Sequence, residues 1–395
     1  MSNSKNEPNS RNQTPNSMYK ILLIEPFFTG SHKAWAEGLQ KYSGHEIEIL
    51  SLSGHHWKWR IHGAAITLAN QFLSKNQSYD IILCSDMLNL PVFLSMVRHR
   101  LTHERIGLYF HENQITTPWN KTDPDLIAKR DQHYGFINYT SALAADFIWY
   151  NSQYHLDSFI NALPQFLGQF PDFNNLDTIE VIRKKSSVMH LGLNLRELQA
   201  IRPIVKETSK EAILLWNHRW EFDKNPDFFF NTLIELHERG VRFQLIVLGQ
   251  SFKNQPAIFQ TAKEILAEHI IHWGFAESME EYVRLVSSAD ILPVTSIQDF
   301  FGISVIEAVA LDVFPLLPNR LAYPEHFPEI MRPTFIYEEE TITDFANRLQ
   351  RLIFDIKYPR GMEISKWVMQ YDWSIQGKKY DAGFEKEFEH LSSRT

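Results

Sequence analysis

Short apolar runs rich in β-branched and aromatic residues alternate along this chain with stretches whose apolar residues recur at helical spacing. Such alternation predicts βαβ units and parallel sheets. Predicted strands form one series at 19–25, 46–52, 80–85, 106–110, 146–151 and 187–191, and a second at 212–217, 243–249, 270–275, 290–296, 313–317 and 334–338. In the second half, helices are predicted near 227–239, 256–268, 278–288, 303–311 and 342–356. We therefore expect an α/β fold with two Rossmann-like, doubly wound domains.

The two series of strands divide the chain into domains that we expect to face a central cleft. The predicted layout is a disordered tail at 1–17, an N-terminal domain at 18–198, a C-terminal domain at 199–375 and a helix at 376–395, with a hinge near 195–210. The last helix is expected because Tyr380, Phe384 and Phe388 form one apolar face. Ligands of doubly wound sheets bind beyond the carboxyl ends of the strands, so the functional residues should lie there.

Composition and charge restrict the classes of function. The 395 residues are 44% hydrophobic and carry a formal net charge of -8, which excludes a protein that coats nucleic acid without specificity. Two basic clusters, RHRLTHER at 98–105 and IRKK at 182–185, could either grip one defined polyanion or form solvated faces. The charge pattern leaves both interpretations open.

Cysteine usage and hydropathy indicate where the protein works. The single cysteine, Cys84, precludes an intramolecular disulfide and fits a reducing compartment. The N-terminus is polar, and no apolar run approaches the roughly 18 residues that a membrane helix needs. We expect a cytoplasmic protein without a membrane partner.

Candidate chemistry in the first half follows the first and fourth predicted strands. EPFFTGSHK at 25–33 places Gly30 in a tight turn and Ser31 as helix N-cap, where unpaired N–H groups would suit an anion. An ordinary βα turn is the alternative. HENQITTPW at 111–119 concentrates His111, Glu112, Asn113 and Gln114, whose hydrogen-bonding side chains suit the hydroxyls of a sugar or nucleoside. A hydrated loop is the alternative there.

The segment GHHWKWRIHG at 54–63 interleaves aromatic and cationic residues. Trp57, Trp59 and Arg60 could stack on bases and hold phosphates. The two tryptophans could instead be one core and one surface residue. A zinc site is not expected, because the only cysteine is elsewhere and no HExxH motif occurs.

In the second half, NHRWEFDKNP at 217–226 follows the first strand of the predicted C-terminal domain. Arg219 and Lys224 could there neutralise a diphosphate leaving group, Arg219 as a planar fork and Lys224 as a point charge. Cations at this spacing also occur on ordinary surfaces, which is the alternative.

The stretch QDFFGISVIEAVA at 298–310 turns into an apolar helix. Phe301, Gly302 and Ile303 could present backbone N–H groups to a phosphate, while Asp299 and Glu307 could accept hydrogen bonds from sugar hydroxyls. Alternatively, both carboxylates favour the positive end of the helix dipole. Because a carboxylate inside an apolar helix seldom stays buried without a partner, Glu307 favours function.

These motifs resemble those of GT-B glycosyltransferases of the retaining family 4 type. The resemblance rests on R-x4-K-N-P after the first strand of the second domain, followed by a carboxylate, seven residues and Glu307. Asp299 stands where that family usually has Glu. IEPFFTGSHKAWAEGL, HHWKWR, YFHENQITTP, NSQYHLDSF and FFGISVIEAVALDVFPLLPNRLAYPEHFP are similar to the tRNA-queuosine α-mannosyltransferase family, and the similarity runs over nearly all of 18–375.

The resemblance implies GDP-mannose as donor and queuosine in the anticodon loop of tRNA-Asp as acceptor. It implies that Arg219 and Lys224 clamp the diphosphate and that Asp299, the 301–303 turn and Glu307 hold the donor. On the opposite wall, His111 would contact the sugar, and Gly30 and Ser31 would approach the phosphate. The residues expected to contact the acceptor are His32, Trp57, Trp59, Arg60, Glu112, Asn113 and Gln114.

Transfer of this kind is expected to retain configuration and to need no metal, no other cofactor and no protein base, since the leaving phosphate oxygen can take the acceptor proton. Three alternatives stay open. They are a family 4 transferase with a lipid or saccharide acceptor, an RNA-binding module with an inactive transferase fold, and a sugar-nucleotide epimerase with the GT-B fold.

Overall fold

The computed structural model describes residues 18–120, 123–127, 133–203, 209–251, 255–338 and 341–392. The strands of this part of the chain are β1 (Lys20–Phe28), β2 (Glu46–Ser53), β3 (Ile81–Ser85), β4 (Arg105–Phe110), β5 (Phe147–Tyr150), β6 (Ser186–Val188), β7 (Ala212–Trp216), β8 (Phe243–Leu248), β9 (Ile270–Gly274), β10 (Ile291–Pro293), β11 (Phe314–Pro318) and β12 (Ile336–Tyr337). The predicted tail at 1–17 and the linker residues 204–208 lie outside the described residues.

The α-helices of the described residues connect these strands. In the first half they are α1 (Gly30–Tyr42), α2 (Trp57–Ser74), α3 (Leu90–Val97), α4 (Pro124–Ile127), α5 (His133–Ala144), α6 (Gln153–Leu167), α7 (Thr178–Lys184) and α8 (Leu195–Ala200). In the second half they are α9 (Pro226–Glu238), α10 (Ile258–Ile265), α11 (Met279–Ser288), α12 (Ile303–Ala310), α13 (Arg332–Phe335), α14 (Ile342–Phe354), α15 (Lys357–Arg360) and α16 (Trp373–Ser392). Among these helices, none is long and apolar enough to cross a membrane.

The first sheet has the strand order β2-β1-β3-β4-β5-β6, and its strands pair in parallel. Residues 21–24 of β1 are all fully buried. Ile21 and Leu23 belong to one apolar cluster and Leu22 and Ile24 to another, because alternate side chains of a strand point to opposite faces. A parallel sheet is covered on both faces in this way, which explains the unbroken apolar runs in the sequence.

The second sheet has the order β12-β11-β10-β7-β8-β9 and is also parallel. In both sheets the strand order reverses beside the first strand, between β1 and β3 and between β7 and β10. Loops beyond the carboxyl ends of these strands form the ligand crevice of a doubly wound fold. The predicted α/β fold with two doubly wound domains is confirmed.

Helix α16 returns from the second half of the chain to the first sheet. Tyr380 and Phe384 are fully buried against it, and the Trp35 indole N–H donates to the Tyr380 hydroxyl at 2.9 Å. Arg105 of β4 also contacts Glu387 of α16 at 2.8 Å. The apolar face expected for the last helix therefore packs on the N-terminal unit, and the helix begins at Trp373.

Four predictions of local structure were wrong. Helix α1 begins at Gly30 with Thr29 as its N-cap, so Ser31 lies inside the first turn. The strand expected at 290–296 is confined to Ile291–Pro293, and that expected at 334–338 to Ile336–Tyr337. The strand expected at 187–191 is Ser186–Val188. Proline explains the second and third differences, because Pro293 has no N–H for the ladder and Pro333 lies in the first turn of α13.

Candidate active site

The loop 299–302 joins the two domains at the carboxyl edges of their sheets. The Ser152 hydroxyl at the N-terminus of α6 donates to the Phe300 carbonyl at 2.6 Å, and the His155 ring stacks on the Phe300 ring with centroids 3.9 Å apart. The loop that carries Asp299 belongs to the second domain and is also held in place by the first.

Lys224 lies buried at the floor of the second domain's half of the cleft. Its ammonium donates to the Gln298 carbonyl at 2.7 Å and lies 3.3 Å from an Asp223 oxygen and 3.4 Å from an Asp299 oxygen. Burial works against the charged ammonium, but Asp299 and Asp223 outweigh it and raise the pKa of Lys224. A permanent positive charge therefore sits beneath the cleft.

Asp299 fixes the turn before α12. Its carboxylate accepts the Gly302 N–H at 2.9 Å and the Tyr323 hydroxyl at 3.2 Å, in addition to the contact with Lys224. Burial opposes ionisation, yet Lys224 and the other neighbours outweigh it and lower the pKa of Asp299. Gly302 has φ +83°, and a Cβ there would lie 2.9 Å from the Tyr323 ring, so only glycine suits this turn.

Of the backbone N–H groups at 301–303 that were predicted to bind a phosphate, one already has a hydrogen-bond partner. The Gly302 N–H is taken by Asp299, whereas Ile303 is the first residue of α12, where N–H groups have no carbonyl partner within the helix. One turn further along, the half-buried Glu307 accepts the Tyr282 hydroxyl at 2.7 Å. Burial raises the pKa of Glu307, with the Tyr282 hydrogen bond acting in the opposite direction.

Arg219 and its neighbour His218 differ sharply in environment. The Arg219 guanidinium is exposed and lies 3.1 Å from Glu221, so it can move onto a ligand. His218 is buried, with Nδ1 2.9 Å from the Ser304 hydroxyl and Nε2 without a partner among the described residues. Burial lowers the pKa of His218 to about 3, which keeps the ring neutral. His218 was not predicted from the sequence, although it lies next to Arg219 at a strand end.

On the first domain, His111 and His32 form the opposing wall. The backbone N–H of His111 donates to Asp86 at 2.8 Å, and its Nε2 is buried without a hydrogen-bond partner among the described residues. The Nδ1 atom of His32 lies 3.1 Å from Glu25, and the two histidine rings have centroids 4.2 Å apart. The wall therefore combines four titratable groups from three strand ends.

These two histidines are in opposite charge states. Burial works against a charged His32, but Glu25 outweighs it and raises the pKa of His32 to about 9. Burial, and next the charge on His32, lower the pKa of His111 well below its ordinary value. Glu25, His32 and His111 offer ligand atoms within 4.8 Å of one another, but a protonated His32 has no free electron pair for a metal ion. The arrangement favours an ion pair beside a neutral imidazole.

The other polar residues of the HENQ segment mainly stabilise their own loop. Asn113 accepts the N–H groups of Ile115 and Thr116 at 3.1 and 2.9 Å. The Gln114 side chain donates to Glu112 at 3.0 Å. Of the three, Glu112 is half-buried, and its charge contributes to the raised pKa of Glu221, after burial and Asp223. Glu112 therefore faces the second domain. Asn113 and Gln114 are buried, and their side chains form hydrogen bonds within their own loop.

Gly30 and Ser31 are exposed at the N-terminus of α1, and Gly30 has φ +50° with open space around the position of a Cβ. The predicted acceptor residues Trp57, Trp59 and Arg60 begin α2. Trp57 packs against Tyr134 with ring centroids 5.3 Å apart, whereas 64% of Trp59 is exposed. Trp59 is thus free to stack on a ligand, and Trp57 is a packing residue.

Arg60 and one residue of each basic cluster contact the protein itself. Arg60 donates to the Ser53 carbonyl at 3.0 Å. Arg105 of the 98–105 cluster contacts Glu387, and Lys185 of the 182–185 cluster donates to the Ala145 carbonyl at 2.5 Å. Arg105 and Lys185 therefore have structural roles, whereas the sequence left open a polyanion contact or a solvated face.

The YPEHFP segment supports the 299–302 loop, a role that the sequence did not reveal. The Tyr323 hydroxyl donates to Asp299, and the Nε2 atom of His326 lies 2.7 Å from the Phe301 carbonyl. Glu325 accepts the N–H groups of Gln153 and Tyr154 at the start of α6, at 2.9 and 2.5 Å. This segment therefore fixes the loop to its own domain and to the opposite one.

Solved structures of known glycosyltransferases share this fold. The sucrose-phosphate synthase of Thermosynechococcus elongatus matches 94% of this chain and 100% of its own, with a TM-score of 0.68 and 14% identity. A UDP-forming α,α-trehalose-phosphate synthase from Burkholderia xenovorans matches 93% of this chain and 99% of its own, with a TM-score of 0.64 and 12% identity. At these identities the likeness concerns the fold alone.

Sequence comparisons are more specific. Residues 20–193 match the family described as tRNA-queuosine alpha-mannosyltransferase N-terminal, and residues 198–363 match glycosyl transferases group 1. A Drosophila melanogaster protein described as tRNA-queuosine alpha-mannosyltransferase is 33% identical over 348 residues, which are 86% of this chain and 88% of the relative. The chain is a GT-B glycosyltransferase and belongs to the tRNA-queuosine α-mannosyltransferase family.

Proposed function

We propose that this enzyme transfers mannose from GDP-mannose to queuosine in the anticodon loop of tRNA-Asp, with retention of configuration. The observation that carries the proposal is the buried Lys224–Asp299 pair beneath the cleft, in a chain with the family's N-terminal domain. A fixed positive charge at the carboxyl end of β7 is suited to a diphosphate leaving group, because preorganised charge needs no rearrangement as the transition state forms.

In this proposal Arg219 and Lys224 bind the diphosphate from two sides. Lys224 is held rigidly from below, and the exposed Arg219 exchanges its contact with Glu221 for two parallel hydrogen bonds to phosphate oxygens. The free N–H of Ile303 at the start of α12 adds the positive end of the helix dipole. Gly30 and Ser31 approach the phosphate from α1, with no Cβ at position 30 to prevent it.

Glu307 binds the ribose of the nucleotide. Its carboxylate is oriented by the Tyr282 hydroxyl and has further acceptor capacity for a diol. Asp299 is one methylene shorter than the Glu that is usual in family 4. Its carboxylate already contacts Gly302, Tyr323 and Lys224, so it has room for one more hydrogen bond, from a sugar hydroxyl. The neutral His111 offers its unpaired Nε2 to a sugar hydroxyl.

The reaction exchanges one C–O bond for another on the same face of the sugar. The bond from the anomeric carbon of mannose to the β-phosphate oxygen breaks, and a bond to a hydroxyl oxygen of queuosine forms. The proton of that hydroxyl passes to the departing phosphate oxygen, and GDP is released. The cations stabilise the growing negative charge on the phosphate, so the reaction needs neither a metal ion nor a protein base.

On the acceptor side, the proposal assigns His32, Trp59 and Glu112 to the cleft surface that meets the tRNA. Trp59 can stack on an unpaired base, since anticodon-loop bases are splayed out in complexes with proteins. The other predicted acceptor residues stabilise the surrounding structure. Trp57 and Arg60 hold the start of α2 in place, and Asn113 and Gln114 stabilise the loop after β4.

The test is transfer of label from radiolabelled GDP-mannose to tRNA that contains queuosine. Matched controls are tRNA from cells that lack queuosine and radiolabelled UDP-glucose as donor. We expect label only where GDP-mannose and queuosine are both present. Label that enters lipid or oligosaccharide acceptors, with none in queuosine-containing tRNA, would instead support a family 4 transferase with another acceptor.

A further inference from the structure

Three potential metal ligands converge in the second domain at the edge opposite the cleft. His237 lies in the last turn of α9, and Glu268 and His269 form the short 3-10 helix Ala267–His269 that leads into β9. Because α9 begins beyond the carboxyl end of β7, its C-terminus lies at the amino ends of the strands. This cluster is therefore separate from the candidate active site.

The three ligand atoms have nearly equal separations. His237 Nδ1 lies 3.0 Å from His269 Nε2 and 3.4 Å from Glu268 Oε1, and the third distance, from His269 Nε2 to Glu268 Oε1, is 3.8 Å. Nitrogen and oxygen ligands about 2.0–2.2 Å from a tetrahedral zinc ion are about 3.3–3.6 Å apart. The observed distances bracket that value, so small side-chain movements would complete the geometry.

A residue outside the cluster, Phe243, determines which ring nitrogen of His269 carries the hydrogen. Its Nδ1 atom lies 2.8 Å from the Phe243 carbonyl, which can only accept, so Nδ1 carries the hydrogen and Nε2 of the neutral ring has a free electron pair. The Phe243 ring also stacks on the imidazole, with centroids 4.1 Å apart and an angle of 6° between the planes. A backbone carbonyl that orients one ring nitrogen and frees the other is the usual support of a metal-binding histidine.

Without a metal ion, His269 Nε2 lies 3.0 Å from His237 Nδ1. The same His237 atom also lies 3.4 Å from Glu268 Oε1, so the three ligand atoms approach one common point. His269 is 4% exposed, so water contributes little to its hydrogen bonding. One divalent cation would satisfy all three atoms together.

We propose that His237, Glu268 and His269 bind one Zn²⁺ ion that ties the end of α9 to the segment entering β9. Two imidazole nitrogens and one carboxylate oxygen form a ligand set that suits zinc. Glu268 is mostly exposed, so the ion can enter from solvent and a water molecule can complete the tetrahedron. The other carboxylate oxygen of Glu268, Oε2, lies 4.0 Å from the Arg242 guanidinium, which offsets its negative charge. The role is structural, and the ion takes no part in sugar transfer.

The test starts from full-length, tag-free protein that has been treated with EDTA and dialysed. ZnCl2 is titrated into it, and binding is followed by calorimetry and by thermal unfolding. We expect one ion per chain and a melting temperature that rises with free zinc, because an ion that binds only the folded state stabilises it. In His237→Gln and Glu268→Gln, zinc affinity should fall by more than about tenfold. His272→Gln, which changes a nearby histidine of β9 outside the cluster, is the matched control and should bind as the original protein does.

Both substitutions change side chains at the protein surface, so the fold should survive them, and circular dichroism checks this directly. Zinc binding of unchanged strength and stoichiometry in His237→Gln and Glu268→Gln would place the ion elsewhere and overturn the proposal. So would the absence of stoichiometric binding by the original protein at micromolar zinc. Since every readout is independent of sugar transfer, failure of this proposal would leave the proposed function untouched.

Discussion

Lys224 and Arg219 carry like charges to the same ligand but depend on the protein in different ways. The Lys224 side chain is 10% exposed and is surrounded by Asp223, Asp299 and the Gln298 carbonyl. The Arg219 side chain is 59% exposed and has one surface ion pair. Removal of the buried ammonium leaves the buried carboxylates of Asp223 and Asp299 without their positive charge, whereas removal of the exposed guanidinium affects only Glu221.

The two substitutions should therefore separate catalysis from stability. Arg219→Ala should lower turnover by about a hundredfold or more, as loss of transition-state electrostatics does. Its free energy of unfolding should change by less than about 0.5 kcal/mol, because the ion pair is at the surface. Lys224→Met should lower turnover as much and also destabilise the fold by about 3–5 kcal/mol. Steady-state kinetics and urea unfolding measure both quantities, and near-original activity in Arg219→Ala would remove its role.

His32 should make stability depend on pH in the neutral to alkaline range. Its pKa in the folded state, about 9, lies above the ordinary value of 6.5, so the folded state holds this proton more tightly. The resulting stabilisation, about 3 kcal/mol, is complete below pH 6.5 and is lost as the pH rises through 9. Urea unfolding of the original protein and of His32→Gln at pH 6 and pH 9.5 isolates this contribution. A difference between the two proteins that stays constant with pH would contradict the charged His32–Glu25 pair.

At the scale of elements, α12 is set in place by the turn in front of it. The turn needs a positive φ at Gly302, a carboxylate at Asp299 to accept the Gly302 N–H, and Tyr323 to hold that carboxylate. The YPEHFP segment contributes Tyr323 and His326 to this turn and Glu325 to the start of α6. The position of α12 is therefore fixed by the YPEHFP segment and by the start of α6.

Gly302→Ala tests this arrangement, with Gly240→Ala as matched control. Both glycines have positive φ, but a Cβ at Gly240 would meet nothing within 4 Å, whereas at Gly302 it would meet the Tyr323 ring. We expect both to lose about 1 kcal/mol or more from backbone strain. Only Gly302→Ala should lose more than this and also weaken GDP binding in calorimetry by tenfold or more, because the turn must shift. Equal effects of the two substitutions would mean that the turn does not position the nucleotide site.

The elements themselves were largely predictable from the sequence, for a physical reason. The buried parallel strand β7 is apolar throughout, and β3 is apolar except for its last residue, Ser85, so their apolar runs mark them almost to the residue. The strands expected at 290–296 and 334–338 were too long, because β10 ends at Pro293 and β12 begins directly after α13. The N-cap of α1 was also wrong, because Thr29 and Ser31 are equally suitable residue types and only the backbone at Gly30 distinguishes them.

At the scale of the whole molecule, the site depends on contacts that connect distant parts of the chain. Glu25, His32 and His111 meet because β1 and β4 flank β3 in the sheet, and strand order is not visible in local patterns. His218, Tyr282 and Tyr323 were missed for the same reason. The site residues that we predicted in the second domain belong to short motifs, each within one βα unit: Arg219 and Lys224 after β7, and Asp299 and Glu307 after β10.

The negative net charge and the structural contacts of Arg105 and Lys185 bear on tRNA binding. If the acceptor is tRNA, phosphate contacts must come from a limited set of cations near the cleft, and each contact releases counterions. We expect the dissociation constant for tRNA to rise by about tenfold or more between 50 and 200 mM salt. Fluorescence anisotropy of labelled tRNA measures this, with GDP binding at the same salt concentrations as control. A flat salt response would exclude extensive phosphate contact and favour recognition through base stacking.

The proposed transfer is tested by mass spectrometry of nucleosides from queuosine-containing tRNA-Asp that has been incubated with the enzyme and GDP-mannose. Spectra are recorded before and after digestion with an α-mannosidase. We expect queuosine that is heavier by one hexose and that returns to its original mass after digestion. This result would establish the acceptor, the sugar and the retained α configuration together. Unmodified queuosine despite demonstrated GDP binding, or a hexose that resists the α-mannosidase, would show that the enzyme does not catalyse this transfer.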